Sequence, residues 1–149
     1  MLELAATVTI TMLSALLFGY WFRYTCLLIL SAKTTRDYAG GVATAHQLGF
    51  PGVQRELAGA SDSELSRLHA SLDRDYKILG TLFDQGGKAP GEANLERRML
   101  QIHYRVMGIW RRGVQAVSPA AARKAIEEMA LVVSHFANAT GEQACAAAA

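Results

Sequence analysis

The side chains of this chain best suited to chemistry are its histidines and the carboxylates near them. There are four, His46, His69, His103 and His135, and imidazole both titrates near neutral pH and ligates metals. His69 lies between Leu65 and Leu72, and His103 between Leu100 and Met107, so both border apolar helical faces. Glu96 and Glu128 each stand seven residues before a histidine, His103 and His135 respectively. That spacing sets glutamate and histidine two turns apart on one helical face. A helical bundle can build a metal or haem site from facing helices, and His69, His103 and His135 are the candidate ligands. The helical di-iron signature, however, is Glu-x-x-His, and it is absent. The expectation is therefore half-buried, hydrogen-bonded histidines with no metal and no cofactor. Nor does the sequence contain a glycine-rich phosphate loop, HExxH, CxxC or a nucleophile elbow. It reads as a protein that binds rather than an enzyme.

Arginine supplies the second pattern. Between residues 92 and 112 five arginines (Arg97, Arg98, Arg105, Arg111, Arg112) face two glutamates, Glu92 and Glu96. Arg98, Arg105 and Arg112 repeat every seven residues and share one helical face. The preceding helical stretch is acidic, with Asp62, Glu64, Asp73, Asp75 and Asp84 against Arg67, Arg74 and Lys77. Complementary neighbouring helices with a solvated outer surface account for this charge pattern most simply. The functional alternatives for the arginine face are anionic lipid headgroups or an acidic protein. Nucleic acid is a poor fit, because the formal net charge of the 149-residue chain is only +2. Trp110 falls on an apolar stripe and is expected in the core.

These residues sit behind an unusual N-terminus. Residues 4–22 are 19 positions without a charge. As a helix they would span about 28 Å, close to the roughly 30 Å hydrocarbon core of a bilayer. Tyr20, Trp21, Arg23 and Tyr24 cluster at the downstream end, where aromatic rings meet headgroups and a guanidinium snorkels. A cleaved signal peptide fits poorly, since the start is Met-Leu-Glu and no good small-x-small site follows. A buried core helix fits poorly too, because the rest of the chain is small for wrapping it. Basic residues flank the run downstream (Arg23, Lys33, Arg36) and Glu3 lies upstream. The expected placement is thus a single pass through the cell membrane, N-terminus outside and C-terminal part in the cytoplasm. Thr7, Thr11, Ala15 and Gly19 recur every four residues, a small-residue face on which another membrane helix, from a second copy or another subunit, can pack. Cys26 and Cys145 are too far apart in sequence and context to suggest a disulfide.

After the anchor and its interface (1–32), residues 33–60 read as a linker with a soft helix and a break at Gly49-Phe50-Pro51-Gly52. Ser61 three before Glu64 is a capping box opening a helix to about Gln85, with Leu65, Leu68, Leu72, Ile78, Leu79, Leu82 and Phe83 on its apolar face. Residues 86–91 are a turn by composition. A second amphipathic helix covers about 93–117, with Leu95, Met99, Ile102, Val106, Ile109 and Trp110 as its expected buried stripe. Ser118-Pro119 starts a third, burying Ile126, Met129, Val133, Phe136 and Ala137 and ending at Thr140-Gly141. Residues 141–149 read as a flexible alanine-rich tail. The fold class expected is all-α: one transmembrane helix, then an up-down bundle of three amphipathic helices (61–140), with the soft helix as a candidate fourth. The function this implies is that of a non-catalytic, single-pass interaction or scaffold module. Its partners would be the lipid bilayer and other membrane helices, as an accessory subunit or an oligomer.

Overall fold

The uncharged run forms one unbroken helix. In the computed structural model, which describes residues 1–87 and 91–149, helix α1 spans Leu2–Ser31. Among the described residues it is the one helix long and apolar enough to cross a membrane, and its apolar window is 0% buried. A core helix would bury that window; here the window is left exposed.

The chain divides into two compact units, Met1–Lys33 and Thr34–Ala149. The second consists of α2 (Ala39–His46), α3 (Phe50–Glu56), a 3-10 turn (Leu57–Gly59), α4 (Asp62–Gln85), α5 (Gly91–Val114) and α6 (Pro119–Ala148). No strand occurs among the described residues. α6 is the central member: α2, α3, α4 and α5 all pack against it. Its buried face, including Ile126, Met129, Val133, Phe136 and Ala137, is the one the sequence pattern predicts. Ser118 caps its start, accepting from the Ala121 amide at 3.3 Å, and Pro119 fills the first turn. At the head of α4 the Ser61 amide and hydroxyl both donate to Glu64, at 2.7 and 2.8 Å. Those hydrogen bonds hold the Glu64 carboxyl below its ordinary titration range.

Three expectations need correction. Residues 34–60 are not a linker, because they belong to the second compact unit and bury Ala39, Ala43, Leu48, Phe50, Val53 and Leu57. The break lies at residues 47–49, earlier than expected, because Phe50, Pro51 and Gly52 open α3. Gln47 ends α2 in the left-handed region (φ 53, ψ 45), and Pro51 helps begin α3. The third correction concerns the C-terminus, where α6 runs on to Ala148 with Gly141 buried inside it. Alanine is the strongest helix former, so the run after Gly141 supports continuation. Of the turn expected over 86–91, residues 88–90 lie outside the described residues.

Gly141 is there because α2 comes so close. A Cβ at this position would overlap the Cβ of Tyr38 and come within 3.0 Å of Val42 Cγ2. Beside it, the Tyr38 amide donates to Asn138 Oδ1 at 2.6 Å. Gly141→Ala is therefore expected to loosen α2 from α6 and destabilise the unit by about 2 kcal/mol through overpacking. Chemical denaturation followed by circular dichroism checks this; an unchanged midpoint would mean that α2 yields without cost.

Candidate functional site

The histidines occupy three separate places. His69 on α4 is buried, with Nδ1 3.8 Å from Asp73 Oδ2 on the next turn. His103 on α5 is 3.3 Å from Glu128 on α6, and both are buried in the α5–α6 interface. His135 on α6 is 2.9 Å from Glu96 on α5 and half-buried. The same-helix partners implied by the seven-residue spacing are thus exchanged between helices. Because α5 and α6 run antiparallel, the glutamate of each meets the histidine of the other. Among the described residues no group of three His, Cys, Asp or Glu side chains is arranged to hold a metal ion. Each histidine is committed to its own carboxylate, so His69, His103 and His135 do not form one ligand set. Burial, aided by Arg111 and Arg112, holds the His69 imidazole below its ordinary titration range despite the opposing pull of Asp73.

Around them lies a polar core the sequence pattern did not reveal. Tyr104 is buried, stacks on Tyr76 (centroids 4.2 Å apart, planes within 3°) and donates its hydroxyl to Asp73 at 2.8 Å. Burial and that hydrogen bond push the Tyr104 phenol far up. Arg111 is buried and donates to Gln115 at 2.8 Å. Asp75, counted among the solvated acids of α4, is fully buried; its Oδ2 accepts from the amides of Gly49 (2.7 Å) and Phe50 (2.8 Å) at the start of α3. The signal was available, since Asp75 stands three after Leu72 and four before Leu79, in the middle of the apolar stripe.

α5 is consequently inside out relative to expectation. Leu100, His103, Tyr104, Met107 and Arg111 face the core. The expected core stripe faces outward: Leu95 is 62% exposed, Ile102 52%, Val106 47%, Ile109 70% and Trp110 56%. The polar residues of α5 go inward, where Tyr104 meets Asp73, His103 meets Glu128 and Arg111 meets Gln115, while Leu95, Ile102, Val106, Ile109 and Trp110 stay exposed. Leu95, Met99, Ile102, Val106 and Ile109 follow alternating steps of four and three, the spacing of a seam that faces a single surface. Arg98, Arg105 and Arg112 are exposed along one margin of this seam, on its side of the helix rather than opposite it. Among the described residues none of the three makes an ion pair. Arg97, by contrast, is tied down, 3.1 Å from Asp84 and over the Phe83 ring at 4.7 Å.

On α1 the small-residue face Thr7, Thr11, Ala15 and Gly19 is wholly exposed, and nothing lies within 4 Å of a Cβ placed on Gly19. The Thr7 and Thr11 hydroxyls donate to carbonyls one turn back, Glu3 and Thr7, each at 2.8 Å. Thr9 and Thr25 do the same toward Ala5 and Trp21. These hydroxyls therefore need no water, which suits them to a hydrocarbon environment. At the downstream end Tyr20, Trp21 and Tyr24 are exposed, the tyrosine rings stacked 6.5 Å apart, and Arg23 is half-buried. Comparison with known protein families, with curated proteins and with solved structures finds no match to this chain.

Proposed function

We propose that this protein is a single-pass membrane-anchored helical module that works by contact and carries no catalysis of its own. α1 is the anchor, and through its Thr7, Thr11, Ala15 and Gly19 face it packs against other membrane helices, as an oligomer or as an accessory subunit. The basic residues that follow the apolar run, Arg23, Lys33 and Arg36, favour an outside N-terminus and a cytoplasmic helical unit. The observation that carries the reading is the outer face of α5. A unit of this size that leaves Leu95, Ile102, Val106, Ile109 and Trp110 of one helix exposed together is built to be covered by something else. His103 and His135 support the same conclusion, for each is engaged with a glutamate across the α5–α6 interface.

Membrane extraction with in-membrane crosslinking tests this reading. The full chain is expected to stay in the pellet through alkaline carbonate washing. A photo-crosslinker at Ala15 is expected to yield adducts with a second copy or another membrane subunit. Release by carbonate would overturn the anchor, and an exclusively monomeric product from Ala15 would overturn the packing role of α1.

A further inference from the structure

We infer that the outer face of α5 rests on an anionic lipid surface, so that the chain meets its membrane twice, once through α1 and once along α5. This rests on the reading of α1 as an anchor and adds what covers the seam. The exposed face of α5 combines two things that seldom coincide on a soluble surface. Large apolar side chains (Leu95, Ile102, Val106, Ile109) and an indole, Trp110, form its centre. Three exposed guanidiniums with no ion pair among the described residues, Arg98, Arg105 and Arg112, form its margin. Acids are confined to the start of the face: Glu92 is exposed one turn before Leu95, Glu96 is turned to His135, and α5 has no carboxylate beyond it. An interfacial helix has this composition, with apolar residues seated at the acyl boundary and long cations reaching up to phosphate.

Charge separates this occupant from the alternatives. A second copy crossing antiparallel would set Arg105 against its own counterpart and Arg98 against Arg112, with no acid to relieve them. A parallel copy would set the arginine margin against His103 and Trp110, again with no acid. An acidic helix from another protein satisfies the charges but must be recruited. The bilayer needs no recruitment. Only residues 32–38 separate the last turn of α1 from the first of α2, a tether of at most about 25 Å, which keeps lipid at high effective concentration. Lipid also tolerates the gap that Gly113 leaves in the seam, because headgroups fill irregular surfaces.

The test uses the full chain with Trp21→Phe, leaving Trp110 as its sole tryptophan. The protein is reconstituted into vesicles of phosphatidylcholine, with or without phosphatidylglycerol. With phosphatidylglycerol, Trp110 emission is expected to shift to the blue, to be quenched by brominated acyl chains and to be shielded from aqueous acrylamide. Replacing Arg98, Arg105 and Arg112 together by Gln is expected to return it to the water-exposed spectrum while the chain stays with the vesicles. Raising salt from about 0.1 M to about 1 M, which shortens the Debye length from about 10 Å to about 3 Å, should move it the same way. Loss of the chain from the vesicles overturns the anchor and this inference together. Retention with a wet Trp110 overturns the inference alone. A dry Trp110 that is insensitive to brominated lipid and tracks protein density assigns the face to a second copy. Drying that occurs only in native membranes assigns it to a protein partner, and either result overturns lipid docking.

Discussion

Replacing Asp75 by alanine is expected to cost the helical unit roughly 3 kcal/mol, a fall in melting temperature of about 10 °C for a unit of this size. The carboxylate is fully buried in α4 and accepts two amide hydrogen bonds from the first turn of α3. Removing it leaves the part-buried Gly49 amide and the buried Phe50 amide without their acceptor, and it opens a void where the side chain stood. Gly49 is packed so closely there that a Cβ would come within 2.6 Å of Ser71 Oγ, so the chain has little room to seek other partners. Asp75→Asn is the discriminating control. Its carbonyl oxygen can still accept from both amides, so it should lose only the charge assistance, about 1 kcal/mol. Thermal denaturation of the three proteins in mild detergent reads the order directly. Equal losses for Ala and Asn would show that the charge, rather than the acceptor geometry, holds α3 in place.

The other large effect lies at His103 and Glu128. Glu128→Ala is expected to destabilise the unit by roughly 4 kcal/mol, because a histidine is left buried without its carboxylate. Replacing both residues by leucine should cost less than either single change, since neither polar group is then stranded and the interface stays filled. Denaturant titrations of His103→Leu, Glu128→Leu and the double leucine variant form a cycle that isolates the pair. A double variant as unstable as the sum of the singles would mean that the two side chains act independently. His135 and Glu96 lie nearer solvent, where screening weakens the pair, and the same cycle there should return a much smaller coupling.

The ends of α4 and the start and face of α6 were legible from the chain because local chemistry decides them. Ser61 with Glu64 and Ser118 with Pro119 satisfy or remove amides that any helix start must deal with. The outer face of α5 was misread for a reason that is equally physical. Periodicity shows that Leu95, Ile102, Val106 and Ile109 lie together, but it cannot say which face of an amphipathic helix the rest of the chain can satisfy. Here Asp73, Glu128 and Gln115 supply partners for Tyr104, His103 and Arg111, and the polar side goes in. The stretch 34–60 escaped notice because it packs through small residues, Ala39 and Ala43, and through single apolar residues in helices too short to show a period. Gly141 read as a stop because glycine weakens a helix; nothing in its neighbours announces that Tyr38 needs the space. The six residues of the candidate ligand and arginine sets were findable by spacing alone, while the exchange of histidine partners required knowing that α5 and α6 run in opposite directions.

The exchanged pairs also fix how far α5 and α6 slide along one another. Glu96 precedes His103 by seven residues on α5, and Glu128 precedes His135 by seven on α6, so the two ladders match in only one setting. Shifting α6 by two turns one way would bring Glu96 opposite Glu128. Shifting it two turns the other way would bring His103 opposite His135 and Glu96 opposite Glu142. In each wrong setting acid meets acid, or imidazole meets imidazole, so a hairpin closing in the cell has a single combination that releases no penalty, like a lock with two pins cut to different heights.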